Sequence, residues 1–370
     1  MNWNLRWPQS SRSTRRVVLG LALLSLPATV LAGVKVFESP DHTLELGMRL
    51  QSRLEYETST PAPGGTDGRR DFMIRRVRLK ANGKMQGVTY AFEWKIDGTD
   101  QVGATPAAAV ENAWFQYPLG ASGIDLKVGL YDAPFSRDLL TSDSRQLAVD
   151  RGEASAVPSA IGLVDNVVGF QFMGKTKSGR VLYTVGAYDN RFIVAGRQDV
   201  PMFAGRLDFN MGATKDIYQD CHFGSDKWYS FGVNGSVQSG IENAAGADDS
   251  SHTAAGVDGM LDVPFGKQRV FVKGELNAVR SEWIGVDRQN NSTVKMIAAG
   301  VLFNQRCQPF IRFDQQRGDP WLRAGRADIT YVGMNYYQRG HSLKVQGDLR
   351  FQSGTTEAVD GLRVQAQMDF

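Results

Sequence analysis

The sequence predicts an all-β chain that closes into a transmembrane antiparallel β-barrel of about sixteen strands, with long outer loops and short periplasmic turns. Three observations predict it. Segments of ~10 residues alternate apolar with polar side chains, which lets one face meet lipid and the other a wet lumen. Short and long connections alternate between those segments. An apolar stretch preceded by arginines near the start has the form of an export signal.

The alternation is clearest in three segments. From Leu44 to Glu57, Leu44, Leu46, Met48, Leu50, Leu54 and Tyr56 share one face, and Glu45, Arg49, Gln51, Arg53, Glu55 and Glu57 the other. Leu343, Val345, Leu349 and Phe351 likewise oppose Ser342, Lys344, Gln346, Asp348, Arg350 and Gln352. In the last segment Leu362, Val364, Ala366, Met368 and Phe370 oppose Arg363, Gln365, Gln367 and Asp369. Successive strand side chains point to opposite faces, so each segment has an apolar and a polar side. Such segments begin near residues 44, 72, 88, 110, 124, 166, 180, 202, 227, 253, 268, 293, 306, 327, 341 and 361.

A soluble β-sandwich also alternates, and the connections separate the two. Short turns are read at Asn82–Gly87, Pro118–Gly123, Thr176–Gly179, Pro264–Lys267, Asn304–Gln305 and Gln338–Gly340. Longer polar loops are read at Thr58–Asp71, Gly98–Ala109, Asp132–Asp165, Asp189–Pro201, Ser239–His252 and Ser281–Asn291. A barrel with both termini on the periplasmic side produces this rhythm. One connection departs from it: Gly212–Lys227 stands where a periplasmic turn belongs, yet it is long and carries Cys221. Either extra structure is expected there or the strands on its two sides have other boundaries.

At the start, Arg12, Arg15 and Arg16 precede the apolar run Val17–Leu31, which ends in the small-residue site at Ala32. A charged region, an apolar region and a small-residue end make a cleaved signal peptide over residues 1–32, with a barrel domain over residues 33–370. The run is shorter than the ~20 residues of a helical span, and no basic stop-transfer cluster follows it. Arg15-Arg16 also fits twin-arginine export, but that route carries folded cargo and does not suit a barrel that inserts unfolded. Four of the 42 basic residues (Arg6, Arg12, Arg15, Arg16) lie in this leader, leaving 38 against 39 acids. Net charge therefore gives no argument for nucleic acid or an anionic surface. No later stretch of 18 apolar residues exists, which excludes a helical membrane protein.

Several short motifs carry a resemblance. Phe72-Met73-Ile74-Arg75-Arg76-Val77-Arg78-Leu79 with Gly83, then Val128-Gly129, Ala133-Pro134-Phe135-Ser136-Arg137, Asn335-Tyr336-Tyr337 and Lys344-Val345-Gln346, together resemble the phosphate-selective porins O and P of Gram-negative outer membranes. The resemblance implies a trimeric barrel whose basic side chains line a constricted pore for anions, with the third long loop folded into the lumen. It also implies recognition of the terminal Phe370 by the barrel assembly machinery and a surround of outer-membrane lipid and lipopolysaccharide. The expected activity is passive diffusion of small anionic or polar solutes. A general porin, a non-conducting structural or adhesive barrel, and an outer-membrane hydrolase are the alternatives.

On the second strand Val77, Leu79 and Ala81 form the lipid face, so Arg76, Arg78 and Lys80 point inward; a cation against lipid near the midplane costs ~2–4 kcal/mol. The same reasoning makes Arg49, Arg53, Lys95, Lys127, Arg206, Arg312 and Arg350 pore-lining candidates, with Lys273, Lys344 and Arg363 on inward faces as well. Glu45, Glu55, Glu93, Asp97, Asp125, Asp208, Glu275, Asp314, Asp348 and Asp369 share those faces, so the wall is mixed. Three cations on successive inward positions beside Arg49 and Arg53 lead to the expectation of a local positive patch. Arg137, Arg145 and Arg151 in Asp132–Asp165 are the constriction-loop candidates.

Catalysis finds no support. The four histidines, His42, His222, His252 and His341, fall in segments read as turns, loops or strand ends, and no nucleophile set, nucleotide loop or metal-ligand spacing accompanies them. No cofactor is expected. Cys221 and Cys307 permit one disulfide in an oxidising compartment, provided an inward fold of Gly212–Lys227 brings them within ~7 Å.

Overall fold

A computed structural model describes residues 33–59, 67–97, 107–120, 123–159, 161, 163, 166–189, 200–212, 217–224, 226–241, 250–283, 288–318, 326–354 and 359–370. The leader expected over residues 1–32 lies outside the described residues, as do most of the loops expected at Gly98–Ala109, Asp189–Pro201 and Ser239–His252. The strands are β1 (Val34–Glu38), β2 (His42–Ser59), β3 (Asp67–Met85), β4 (Val88–Asp97), β5 (Ala107–Pro118), β6 (Ile124–Tyr131), β7 (Val167–Lys175), β8 (Val181–Asp189) and β9 (Met202–Gly212). They continue with β10 (Trp228–Ile241), β11 (Ser250–Phe265), β12 (Gln268–Trp283), β13 (Arg288–Phe303), β14 (Cys307–Gly318), β15 (Arg326–Arg339), β16 (Leu343–Ser353) and β17 (Val359–Asp369).

From β2 to β17 each strand pairs antiparallel with its sequence neighbour, and β17 returns to β2 through Leu362↔Tyr56 and Val364↔Leu54. The sheet is thus a closed ring of sixteen strands. Closure is what lets strands cross a bilayer, because no edge is left with unpaired backbone groups in lipid. Among the described residues no helix is long and apolar enough to cross.

β1 is additional to the expected sixteen, and at five residues it is too short to register as an alternating segment. It pairs with the same edge of β2 that β17 uses, Val34↔Leu46 following directly on Asp369↔Arg49. Between the two pairings, the Met48 N–H donates to the Phe370 C=O at 2.7 Å and the Phe370 N–H donates to the Met48 C=O at 2.9 Å. β1 and β17 therefore form one interrupted strand line along β2.

The polar and apolar faces follow the alternation. Arg49, Gln51 and Arg53 are buried inside, while Leu46, Leu54, Phe72, Leu79, Phe92 and Trp94 are exposed outside. β2 and β3 run to 18 and 19 residues, beyond the ~9–11 that a tilted strand needs to cross. The excess extends the hairpin, so residues 58–59 and 67–71 of the loop expected at Thr58–Asp71 are strand, as are 281–283 and 288–291 of that expected at Ser281–Asn291. At the other end the turns are tight. Gln86 and Gly87 join β3 to β4 with φ of 51° and 83°, the left-handed pair that suits the twist of a two-residue hairpin.

Among the described residues, two connections leave the wall. Residues 132–166, between β6 and β7, fold into the lumen as α1 (Arg137–Leu140), a 3-10 turn (Asp143–Arg145) and α2 (Glu153–Ser159). The long β9–β10 connection also turns inward, with Ile217, Asp220, Cys221 and His222 buried. That is the extra structure its length called for.

If this assignment of faces is right, Val332→Arg, at an outward position midway along β15, costs about 2–4 kcal/mol. Urea unfolding of the detergent-folded barrel, followed by heat-modifiable gel migration, measures the loss.

Candidate functional site

The lumen is divided by the folded third loop. On one side the loop is sealed to the wall by an apolar cluster: Phe135, Leu147, Ala154, Val157, Ile161 and Leu163 of the loop pack with Tyr188, Met260, Phe271, Val294, Met296, Phe310 and Ile329 from β8 and β11–β15. Those wall residues are inward positions that a fully wet lumen would fill with polar groups. Burial of apolar area on both partners holds the loop down.

Charge fixes its position on that side. Asp138 at the start of α1 accepts from Arg312 at 3.1 and 3.2 Å and from Lys273 at 3.2 Å. It also accepts from the Gly152 N–H at 3.0 Å. Arg312 donates to Asp314 at 2.8 Å, and Asp314 in turn accepts from the Glu153 N–H at 3.1 Å. Gly152 lies so close to this group that a Cβ there would collide with the Arg312 guanidinium and the Asp314 carboxylate. Arg137 leaves the loop to reach Asp258 and Asp208, and both acids also bind Arg206.

The opposite side of the loop faces β2, β3 and β17 across two of the cavities in the described residues. One, of about 410 Å³ at the turn end of the barrel, is lined by Arg49, Lys80, Arg145, Ser142, Ser144 and Asp369 among others. The second, of about 240 Å³, lies further in between Arg75, Arg76, Asp143, Asp150 and Arg151. Ion pairs line the route between them. Arg76 meets Asp143 at 3.1 Å, Arg78 meets Glu111 at 2.9 Å and Glu93 at 3.7 Å, and Lys80 binds Asp369. Arg53 grips both oxygens of Asp150, at 2.7 and 2.8 Å.

The local positive patch expected from Arg76, Arg78 and Lys80 is therefore corrected: each has an acidic neighbour. Asp143 comes from the folded loop, Glu111 from β5 and Asp369 from β17, positions that no single-strand pattern brings together. Arg206 and Arg312, expected to line the pore, are sealed beneath the loop with Lys273 and anchor it there; Arg137, expected to face the constriction, is likewise buried against the wall. Lys95 reaches Glu111 at 2.6 Å, and Lys127 sits over the rings of Trp114 and Tyr131 at 4.0 and 4.5 Å. Arg350 donates to Gln352 near the outer end, Arg363 binds Asp348 and Asp150, and Lys344 donates to the Gln146 carbonyl at 3.2 Å. Arg145 lines the larger cavity and Arg151 the smaller, where Arg151 meets Asp143 at 3.3 Å.

Arg75 was missed. Strict alternation sends it to lipid, but the register slips there, with Gln51 opposite Arg76 and Ser52 opposite Ile74. The bulge turns Arg75 onto the inner cavity. Two adjacent arginines in a lipid-crossing strand were the available signal, since one of them must otherwise face lipid.

The bond allowed between Cys221 and Cys307 is not formed: both are free thiols, Cys221 buried and Cys307 partly so. His222 faces Asp262, His252 faces the Ser281 hydroxyl at 2.7 Å, and His341 donates from Nε2 to the Cys221 carbonyl at 3.0 Å. Among the described residues no group of three or more His, Cys, Asp or Glu is placed to hold a metal.

Against known proteins, residues 46–210 match the family described as phosphate-selective porin O and P. Over that span the chain is similar to that family. The resemblance carried by the Phe72–Leu79 segment is thereby shown, and a channel rather than an enzyme is what the match indicates. No curated protein sequence matches. Solved structures share the fold at low identity. The anion-selective porin from Comamonas acidovorans is 11% identical, with 89% of this chain and 100% of that one covered and a TM-score of 0.59. The outer membrane channel DcaP of Acinetobacter baumannii is 12% identical, covers 92% and 100%, and also has a TM-score of 0.59. The trimer form of OmpT, an outer membrane protein of Vibrio cholerae, is 10% identical over 89% and 100% of the chains, at a TM-score of 0.53. A porin barrel of this kind belongs in the outer membrane.

Burial alone would raise the carboxyls of Asp138, Asp143 and Asp150, but the cations around them outweigh it and hold all three well below the usual carboxylate range. A carboxyl depressed in the folded state contributes stability above its unfolded value, near ~4, and loses it as pH falls through the folded value. These three carboxyls should therefore support loop docking undiminished from neutral pH down to about 4 and lose that support only in stronger acid. Single-channel conductance followed below pH ~4 checks this: the rise expected from loop release should set in there.

Proposed function

We propose that this porin passes small hydrophilic solutes by passive diffusion along the off-centre route between the third loop and β2–β5, with a modest preference for small anions such as phosphate. The observation that carries the preference is the sharing of carboxylates. Asp143, Asp150, Asp369 and Glu111 are each met by two or three of Arg49, Arg53, Arg76, Arg78, Lys80, Lys95, Arg151 and Arg363. Arg75 adds a further cation on the inner cavity. A low-dielectric wall focuses such an excess on a narrow route, and guanidinium suits oxyanions. The likeness of fold to the anion-selective porin from Comamonas acidovorans supports this reading.

Glu55 and Glu93 contact the same cations, which favours a second reading, a weakly selective general porin. Neither reading involves catalysis. Export with loss of residues 1–32, assembly through Phe370, a surround of lipid and lipopolysaccharide, and a homotrimer complete the proposal; the trimer form of OmpT supports the last by likeness of fold.

Replacing Arg76, Arg78 and Lys80 together by Gln leaves Asp143, Glu111 and Asp369 each with one cation, Arg151, Lys95 and Arg49 respectively. The barrel should therefore still fold, while the route turns acidic. Zero-current potential across a bilayer with a salt gradient should move from anion towards cation preference; an unchanged potential leaves the general porin. Cross-linking in native membranes should give three subunits, and a species that stays monomeric removes the trimer.

A further inference from the structure

The β9–β10 connection does more than fill space. Residues 217–224 cross the turn end of the barrel beneath the third loop and are tied to the far wall. The Gly224 N–H donates to the Gln305 side chain at 3.0 Å, in the turn joining β13 to β14. Phe223 packs edge-on against Tyr337 and His341, with ring centroids 5.1 and 5.3 Å away. His341, in the turn joining β15 to β16, donates to the Cys221 carbonyl. The segment is thus held at both walls and spans the lumen between them.

Asp220 joins this strap to the loop above. Its N–H donates to the Arg145 carbonyl at 2.9 Å, and its carboxylate accepts from the Leu147 N–H at 2.9 Å. Both Arg145 and Leu147 belong to the constriction loop. The same carboxylate oxygen accepts from Lys273 at 2.9 Å, and Lys273 also binds Asp138 of α1. One wall cation is held between an acid of the loop and an acid of the strap. Arg137 of the loop adds a bond to the Ile217 carbonyl at 2.8 Å.

We propose that the constriction is positioned from the periplasmic side: residues 217–224 are a floor under the third loop, and Asp220 is the positioning residue that sets where the loop sits. The floor covers the turn end beneath the β10–β16 side, so that among the described residues the exit left for solute is the opening lined by Arg49, Lys80, Arg145 and Asp369. Asp220 touches no solute. It acts through Arg145, Leu147 and Lys273. The inference rests on the channel reading above.

Bilayer recordings on wild type, Asp220→Ala, Asp220→Asn and Lys273→Met test it, with block by sugars and anions of graded size as the second readout. Alanine removes the acceptor for both the Leu147 N–H and Lys273. It should raise conductance severalfold and admit larger solutes. Asparagine keeps an acceptor for Leu147 and should restore much of the wild-type exclusion limit, a graded response that general destabilisation does not give. Lys273→Met should follow alanine. Folded variants with wild-type conductance and exclusion limit overturn the proposal.

A separate measurement needs neither the Asp220 and Lys273 variants nor conductance. In a Cys307→Ser background the one thiol is Cys221, buried in the strap. A membrane-impermeant methanethiosulfonate should leave it unmodified until the barrel is unfolded, and reaction at the rate of an exposed thiol overturns the floor. A wild-type barrel that conducts nothing defeats the channel reading, and the thiol result then decides the floor by itself.

Discussion

The carboxylate of Asp138 is the point on which the interior depends. It takes Arg312 and Lys273 from two wall strands and the Gly152 N–H from its own loop, and it is completely buried. Removing one partner from a buried ionic group of this kind costs about 3–5 kcal/mol, because the remaining charges are left without water or counter-charge. The apolar cluster around Phe135 and Ile161 supplies attraction without direction, while this set of charges supplies register. Together they place the third loop against β11–β15 and leave the solute route on the opposite side.

That asymmetry changes the meaning of a lumen-facing cation. Arg206, Lys273 and Arg312 are as inward as Arg49 and Arg53, yet they are structural, since the loop covers them. On the open side the charges are paired, but Asp143, Asp150, Asp369 and Glu111 are each divided among two or three cations. Selectivity then follows from a small excess spread along a narrow route, not from a cluster of unopposed arginines. A mixed wall of this kind is wet, ordered and only mildly polarised.

The barrel itself was legible because lipid is an unforgiving solvent. Outward positions between Leu44 and Glu57, or between Leu343 and Phe351, are apolar with the exception of Ser52, and backbone pairing forces the alternation. The inward apolar residues Phe271, Val294, Met296 and Phe310 were equally visible as a departure from that rule, and they mark the wall that the loop covers. Naming their partner required Phe135, Leu147 and Ile161, which are more than a hundred residues away and show no periodicity. Arg75 was hidden by one extra residue in β3, because a single bulge reverses every face read across it.

By itself the sequence determined the sixteen-strand ring, most faces of its strands, the unusual length of the connection after β9 and the likeness to phosphate-selective porins, since each is written locally in period, turn chemistry or motif. Only the tertiary structure decided which cations are open to solute. Asp143 lies between Arg76 and Arg151, Asp369 between Arg49 and Lys80, and Asp220 beneath Leu147 because the chain folds back through its own lumen. Charge pairing depends on distance in space, and a one-dimensional pattern carries none for residues that the fold alone brings together.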